Sequence, residues 1–119
     1  MSKPRYRWWG YARNVVRAYP KLMAAKSLTA EDLRDRDAVT MAINITRQKR
    51  KGEELLALIE EVYWGSARRI EDAAMRLYIA DQTARRWHGE FIRTVGQCLG
   101  LYVADNKEET GEQKKEIAR

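Results

Sequence analysis

The sequence has little of what many catalytic and secreted proteins depend on: its 119 residues include one cysteine, one histidine and two prolines. One cysteine cannot form a disulfide within the chain, and no Cys/His cluster has the spacing of a zinc site. No apolar run approaches the ~18 residues of a membrane span, and the N-terminus lacks the apolar segment of a secretory signal. Glycine-rich nucleotide-binding loops and the hydrolase nucleophile motif are also missing. We therefore expect a cytoplasmic protein that is not an enzyme and uses no cofactor or metal.

Acidic residues are absent from the first 30 positions, which carry seven lysines and arginines. Residues 51–66 are net acidic, although the whole chain has a formal net charge of +6. Basic charge gathered in one part of a chain favours a polyanionic partner such as nucleic acid.

Helical periodicity of the apolar residues predicts an all-α fold, a small helical bundle with a C-terminal helix-turn-helix. We divide it into a basic, aromatic N-terminal helical arm (1–28), a helix-turn-helix DNA-binding domain (29–103) and a mobile tail (104–119) without apolar periodicity. The first helix is predicted over 5–19 and should end or kink at Pro20. Its tryptophans, Trp8 and Trp9, either contact nucleic acid or pack the helix onto the rest.

Two helices are predicted in the middle of the chain. The first begins at a capping box formed by Thr29 and Asp32 and runs to about Lys49. The second covers 53–64 and has a solvated, acidic outer face. The apolar side of the first helix is predicted to consist of Leu33, Ala38, Met41, Ala42 and Ile45.

The stretch from Ser66 to Leu101 predicts two helices, Ile70–Tyr78 and 82–99, joined by a short break. Asp81 is the expected N-cap of the second helix, and Gly100 its C-cap. At 100° per residue the second helix has a core face of Ala84, Trp87, Phe91, Val95 and Cys98. The opposite face carries Gln82, Arg86, Gly89 and Arg93, flanked by Arg85.

This layout is typical of a helix-turn-helix whose second helix enters the DNA major groove. The usual turn glycine is here Tyr78, so we expect either a longer turn or a break that falls after Tyr78. Gly89 either leaves room for the DNA backbone or is a tolerated helix glycine, and His88 has a structural or phosphate-binding role.

The predicted base contacts are Gln82 with adenine and Arg85 or Arg86 with guanine. The predicted phosphate contacts are Arg68, Arg69, Thr83 and Arg93.

Three stretches of the chain resemble the small phage-encoded transcriptional regulators of the RinA/ArpU type. They are RYRWWGYARNVVRAYPKL, the run from Ala38 through TRQKRKGEELLALIEEVYW, and IEDAAMRLYIADQTARRWHGEFIRTVGQCLGL. The most specific piece is Thr83–Ile92, and the resemblance covers roughly residues 5–101. It implies a domain similar to region 4 of sigma factors. It also implies control of late phage genes for packaging or lysis, with host RNA polymerase in a bacterial cell.

Other functions remain open alongside binding of double-stranded DNA. A phage terminase small subunit also uses a helix-turn-helix. A protein-interaction adaptor would instead dock through the acidic helix 53–64 and would not need DNA. The sequence also leaves open whether the protein is a monomer or a homodimer.

Overall fold

The computed structural model describes residues 7–67 and 69–101. Within them it has five α-helices and no strand, so the predicted all-α fold is confirmed. The predicted tail, 104–119, lies outside the described residues. The helices are α1 (Trp8–Ala24), α2 (Ala30–Arg47), α3 (Gly52–Ile59), α4 (Ile70–Leu77) and α5 (Asp81–Cys98), and a π-helical segment, Glu60–Trp64, continues α3.

Helices α1, α2, α3 and α5 share one apolar core. Its buried members include Ala12, Val16, Val39, Ala42, Leu55, Ile59, Phe91, Ile92 and Val95. A smaller cluster of Leu58, Ala67, Ala73, Ala74 and Ala84 joins α3 and α4 to the start of α5. Trp87 packs against both clusters and so connects them. The described residues of α1 therefore share a core with helices that follow residue 28.

Helix α2 buries two of its five predicted core residues, Ala38 and Ala42, but not the other three. The capping box of Thr29 and Asp32 is confirmed, with the Asp32 N–H donating to Thr29 Oγ1 at 3.0 Å. The buried residues are Asp35, Ala38, Val39, Ala42 and Thr46, whereas the predicted core residues Leu33, Met41 and Ile45 are exposed. The core contact is thus made by small and β-branched side chains, which allow the neighbouring helices to approach closely.

Helix α1 continues through Pro20 to Ala24, so of the two outcomes expected at the proline, an end or a kink, the end is wrong. Proline has no N–H, and the carbonyl of Val16 therefore loses its partner within the helix. The indole Nε1–H of Trp64 donates to this carbonyl at 2.8 Å. An unsatisfied buried carbonyl would cost about 1–3 kcal/mol, so this bond offsets much of the disruption.

The two tryptophans at the start of α1 pack against the main core. Trp8 covers Gly96 of α5 so closely that a Cβ at this glycine would lie 2.5 Å from the Trp8 ring. Trp9 lies against His88, with ring centroids 6.5 Å apart. Of the two roles left open for these tryptophans, packing is the one that the structure shows.

The turn between α4 and α5 is formed by Tyr78 itself, in the left-handed conformation (φ 58°, ψ 44°). Both expectations for this turn, a longer connection or a break after Tyr78, are therefore wrong. The Ile79 N–H donates to the Ala74 carbonyl at 2.8 Å, and the Tyr78 N–H to the Met75 carbonyl at 3.3 Å. This is a Schellman motif, which closes α4 with its own backbone.

The two ends of α5 differ in how well they were predicted. Its N-cap is Ala80, so Asp81, the expected cap, is instead the first residue of the helix. At the other end Gly100 has φ +78°, and its N–H donates to the Gln97 carbonyl at 3.0 Å. The glycine C-cap is therefore confirmed.

Candidate nucleic-acid interface

Helix α5 presents different chemistry on opposite sides. Ala84, Phe91 and Val95 are buried, and Trp87 is half-buried between the two apolar clusters. Gln82 and Arg86, in the first turns, are exposed. The predicted division into a core face and an outer face is correct for this part of the helix. The apolar residues fix the helix, and the polar residues remain available to a ligand.

Gln82 and Arg86 form the open part of this face. Within residues 7–67 and 69–101 neither side chain makes a hydrogen bond or an ion pair. A free amide and a free guanidinium one turn apart on a helix match the donor and acceptor pattern of base-pair edges in the major groove. We call Gln82 and Arg86 the open face.

Arg85, the neighbour of Arg86, is held by carboxylates. Its Nη2 donates to the Oε2 atom of Glu71 in α4 and lies 3.7 Å from Asp81 Oδ2. Hydrogen bonding to a backbone N–H and to Arg85 holds the pKa of Glu71 below its usual range. Arg85 is half-exposed and can still reach a ligand, but only by leaving or sharing these partners. The structure thus distinguishes two arginines that the sequence left equivalent.

The second half of the predicted outer face is covered by α1. A Cβ on Gly89 would lie 3.4 Å from the Arg93 guanidinium and 3.8 Å from the Trp9 ring. Arg93 is half-buried beside it. The expected continuous basic stripe from Gln82 to Arg93 is therefore interrupted at Gly89, where the Trp9 ring of α1 lies beside the outer face of α5. Only the first two turns of the stripe are open.

The remaining predicted phosphate contacts are spread over the entrance to α4 and the start of α5. Thr83 is half-buried in the first turn of α5. Arg69 precedes α4, is exposed, and has Nη2 3.6 Å from Asp72 Oδ1. Arg68 lies outside the described residues. Thr83 therefore directly follows Gln82 of the open face, whereas Arg69 lies on a different element, at the start of α4.

His88 belongs to a buried network behind this face. Its Nε2 lies 2.6 Å from the Tyr63 hydroxyl, and Arg13 Nε donates to the same hydroxyl at 2.9 Å. Burial, and to a smaller degree the charge of Arg13, lower the pKa of His88 to about 4. The imidazole is therefore neutral at pH 7, and it shares a hydrogen bond with the Tyr63 hydroxyl. Of the two roles expected for His88, the structural one fits this position.

The π-helical segment explains how Tyr63 and Trp64 reach α1. A π-helical turn widens the backbone and shifts the side chains that follow, relative to a continuous α-helix. Here Tyr63 bonds to Arg13 and His88, and Trp64 bonds to the Val16 carbonyl. Periodicity predicted one regular helix over 53–64 and could not place these two side chains. The partnership of Glu71 with Arg85 was also missed, because it depends on how α4 and α5 pack.

Other kinds of site receive no support from the described residues. No group of three or more His, Cys, Asp and Glu side chains among them could hold a metal ion. No helix in residues 7–67 and 69–101 is long and apolar enough to span a bilayer. Comparisons of the chain with protein-family models, curated proteins and solved structures give no match.

Proposed function

We propose that this protein binds double-stranded DNA in a sequence-specific manner through α5. The observation that carries the proposal is the open face: Gln82 and Arg86 lie exposed and unpartnered among the described residues, while Ala84 and Trp87 fix the same turns of the helix to the core. In a helix-turn-helix the N-terminal turns of the second helix contact base edges in the major groove. The order of α4, the Tyr78 turn and the longer α5 supports the proposal.

Each residue has a distinct role in the proposed complex. Gln82 reads adenine and Arg86 reads guanine through bidentate hydrogen bonds, each giving about 1–3 kcal/mol of discrimination. Arg85, paired with Glu71, supports α5 and is the weaker candidate for the guanine contact. The phosphate contacts proposed are Arg68, Arg69, Thr83 and Arg93; such contacts orient a protein on DNA without reading sequence.

The biological role that we propose is regulation of late phage genes, with host RNA polymerase as a second partner. This part rests on the resemblance to RinA/ArpU-type regulators.

The acidic residues after α2 supply a second polar surface: Glu53, Glu54 and Glu60 are exposed, whereas Glu61 pairs with Arg76 at 3.0 Å. They offer a surface for a basic protein partner, which is also what an adaptor function without DNA would use.

The decisive experiment is selection of bound sites from random duplex DNA, followed by affinity measurements over a range of salt concentrations. A DNA-binding regulator should enrich one motif and lose affinity steeply as salt rises, because phosphate contacts release counterions. The absence of a steep salt dependence of duplex binding would support the function as a protein-interaction adaptor. Mass measurement in the same buffer separates a monomer or homodimer from the ring-like assembly expected of a terminase small subunit.

A further inference from the structure

The arginines of the described residues fall into two groups by their partners. One group forms ion pairs with carboxylates: Arg34, Arg36, Arg47, Arg69, Arg76 and Arg85. The other group makes no ion pair within residues 7–67 and 69–101: Arg7, Arg13, Arg17, Arg50, Arg86 and Arg93. The unpaired arginines are concentrated on α1 and α5. All three arginines of α2, in contrast, are neutralised by neighbouring acids.

Arg13 and Arg17 of α1 are held in place by neutral partners, so no carboxylate among the described residues compensates their positive charge. Both guanidinium groups lie over the Tyr63 ring, 5.8 Å and 5.5 Å from its centroid. Arg13 uses Nε to donate to the Tyr63 hydroxyl, and Arg17 uses Nη1 to donate to Asn14 Oδ1 at 3.1 Å. A guanidinium has five N–H donors, so each group keeps several for an anion. Stacking on an aromatic ring also reduces the rotamer freedom that binding would otherwise remove.

These two arginines are linked to α5 by direct contacts. Tyr63 bonds to His88 of α5, and the His88 ring meets Trp9 edge to face. Trp9 in turn lies at Gly89, opposite the Arg93 guanidinium. Arg13 and Arg17 are one turn apart, about 5.4 Å along α1. Arg13 and Arg17 thus lie one and two turns along α1 from Trp9, the residue that lies at Gly89 on the half-covered end of the α5 outer face.

We propose that Arg13 and Arg17 of α1, together with Arg93, bind the phosphate backbone of the same DNA duplex whose bases α5 reads. This inference rests on the proposed function and extends it to a helix that packs in the core. Trp8 and Trp9 hold α1 against α5, and the arginines on the same helix provide the charge. Glu90, on the α5 face between Arg86 and Arg93, is the nearby carboxylate in sequence and weakens the local positive potential.

The test is the salt dependence of duplex binding by Arg17→Gln, with Arg34→Gln as the matched control. Both variants remove one positive charge from an exposed arginine, but Arg34 lies on α2 and is 3.7 Å from Asp35. Arg17→Gln should lower the slope of log affinity against log salt by about 0.9, the value for one phosphate contact. The base preference should not change. Arg17→Lys should keep the slope, because a phosphate contact requires charge rather than planar geometry.

Arg13 is tested by comparing Arg13→Gln with Arg13→Lys, both of which lose the Nε–H donated to Tyr63. Arg13→Gln should have a salt slope about 0.9 lower than Arg13→Lys, and equal slopes for these two variants would exclude Arg13 from the phosphate contact. If the wild type binds a selected DNA motif but Arg17→Gln and Arg34→Gln have equal salt slopes, the inference about α1 is overturned. The proposed function would then still stand. Failure of the wild type to bind duplex DNA in a salt-dependent way would instead overturn the proposed function, and this inference with it.

Discussion

The two halves of α5 share a helix and a residue pattern but have different surroundings. In the first half Gln82 and Arg86 are exposed on the outer face. In the second half the corresponding positions, Gly89 and Gly96, lie beneath Trp9 and Trp8 of α1. Gly96 permits close packing of α1 on α5, because a Cβ at this position would overlap the Trp8 ring. A polar helix face predicted from sequence is therefore an upper limit on the surface that a ligand can reach.

The strongest test of the covered half is Gly96→Ala, paired with Gly10→Ala. At Gly96 the new Cβ would lie 2.5 Å from the Trp8 ring, and overpacking of this kind costs about 1–3 kcal/mol. At Gly10, in the first turn of α1, a Cβ meets nothing within 4 Å, so alanine should stabilise by about 0.5–1 kcal/mol. Urea unfolding measures both changes. Equal effects of the two substitutions would mean that α1 does not cover α5 as described.

The second test uses the pH dependence of stability. The pKa of His88 is about 4 in the folded protein and near 6.5 in the unfolded chain. On mild acidification the His88 imidazole therefore gains a proton in the unfolded chain but not in the folded protein. Stability is therefore complete above pH 6.5 and falls as the pH drops toward 4, by about 2 kcal/mol between pH 7 and pH 5.

His88→Gln is the matched variant for this pH test, because the Gln amide can still form a hydrogen bond with the Tyr63 hydroxyl. As His88 is the one histidine of the chain, the variant should lose this dependence. Unfolding curves of both proteins at several pH values provide the measurement. A wild-type curve that stays flat over this range would contradict a buried, neutral His88.

A smaller change in stability is expected at Tyr78, in the turn that precedes α5. Tyr78 adopts φ 58° with its side chain 96% exposed, so Tyr78→Gly removes backbone strain and no packing. We expect a gain of about 1 kcal/mol. Gly100, at φ +78° with open space around it, is the reverse case, and Gly100→Ala should lose a similar amount. Thermal melting of both variants tests the pair; destabilisation by Tyr78→Gly would show that the tyrosine is required in the turn.

The sequence was sufficient where structure depends on local pattern. A period of 100° per residue gave the buried side of α5, and the local chemistry of Thr29 with Asp32 and of Gly100 gave two helix ends. These features depend on residues a few positions apart. They can be predicted without knowing the fold.

The sequence was insufficient where distant residues decide the outcome. Helix α1 passes through Pro20 with help from Trp64, 48 positions from the carbonyl that it satisfies. The outer face of α5 is shortened by tryptophans from the opposite end of the described chain. Likewise, the choice between Arg85 and Arg86 depends on Glu71 of another helix. In each case two elements must be packed before the contact exists.

Base reading by Arg86 of α5 is tested most directly by comparing the base preferences of Arg86→Ala and Arg85→Ala in selection from random duplex DNA. Arg86→Ala should lose discrimination at one base position by about 5- to 150-fold, the equivalent of 1–3 kcal/mol. Arg85→Ala should keep that preference, because this arginine is already paired with Glu71 and Asp81. Selection of the wild-type motif with wild-type affinity by Arg86→Ala would show that Arg86 does not read a base.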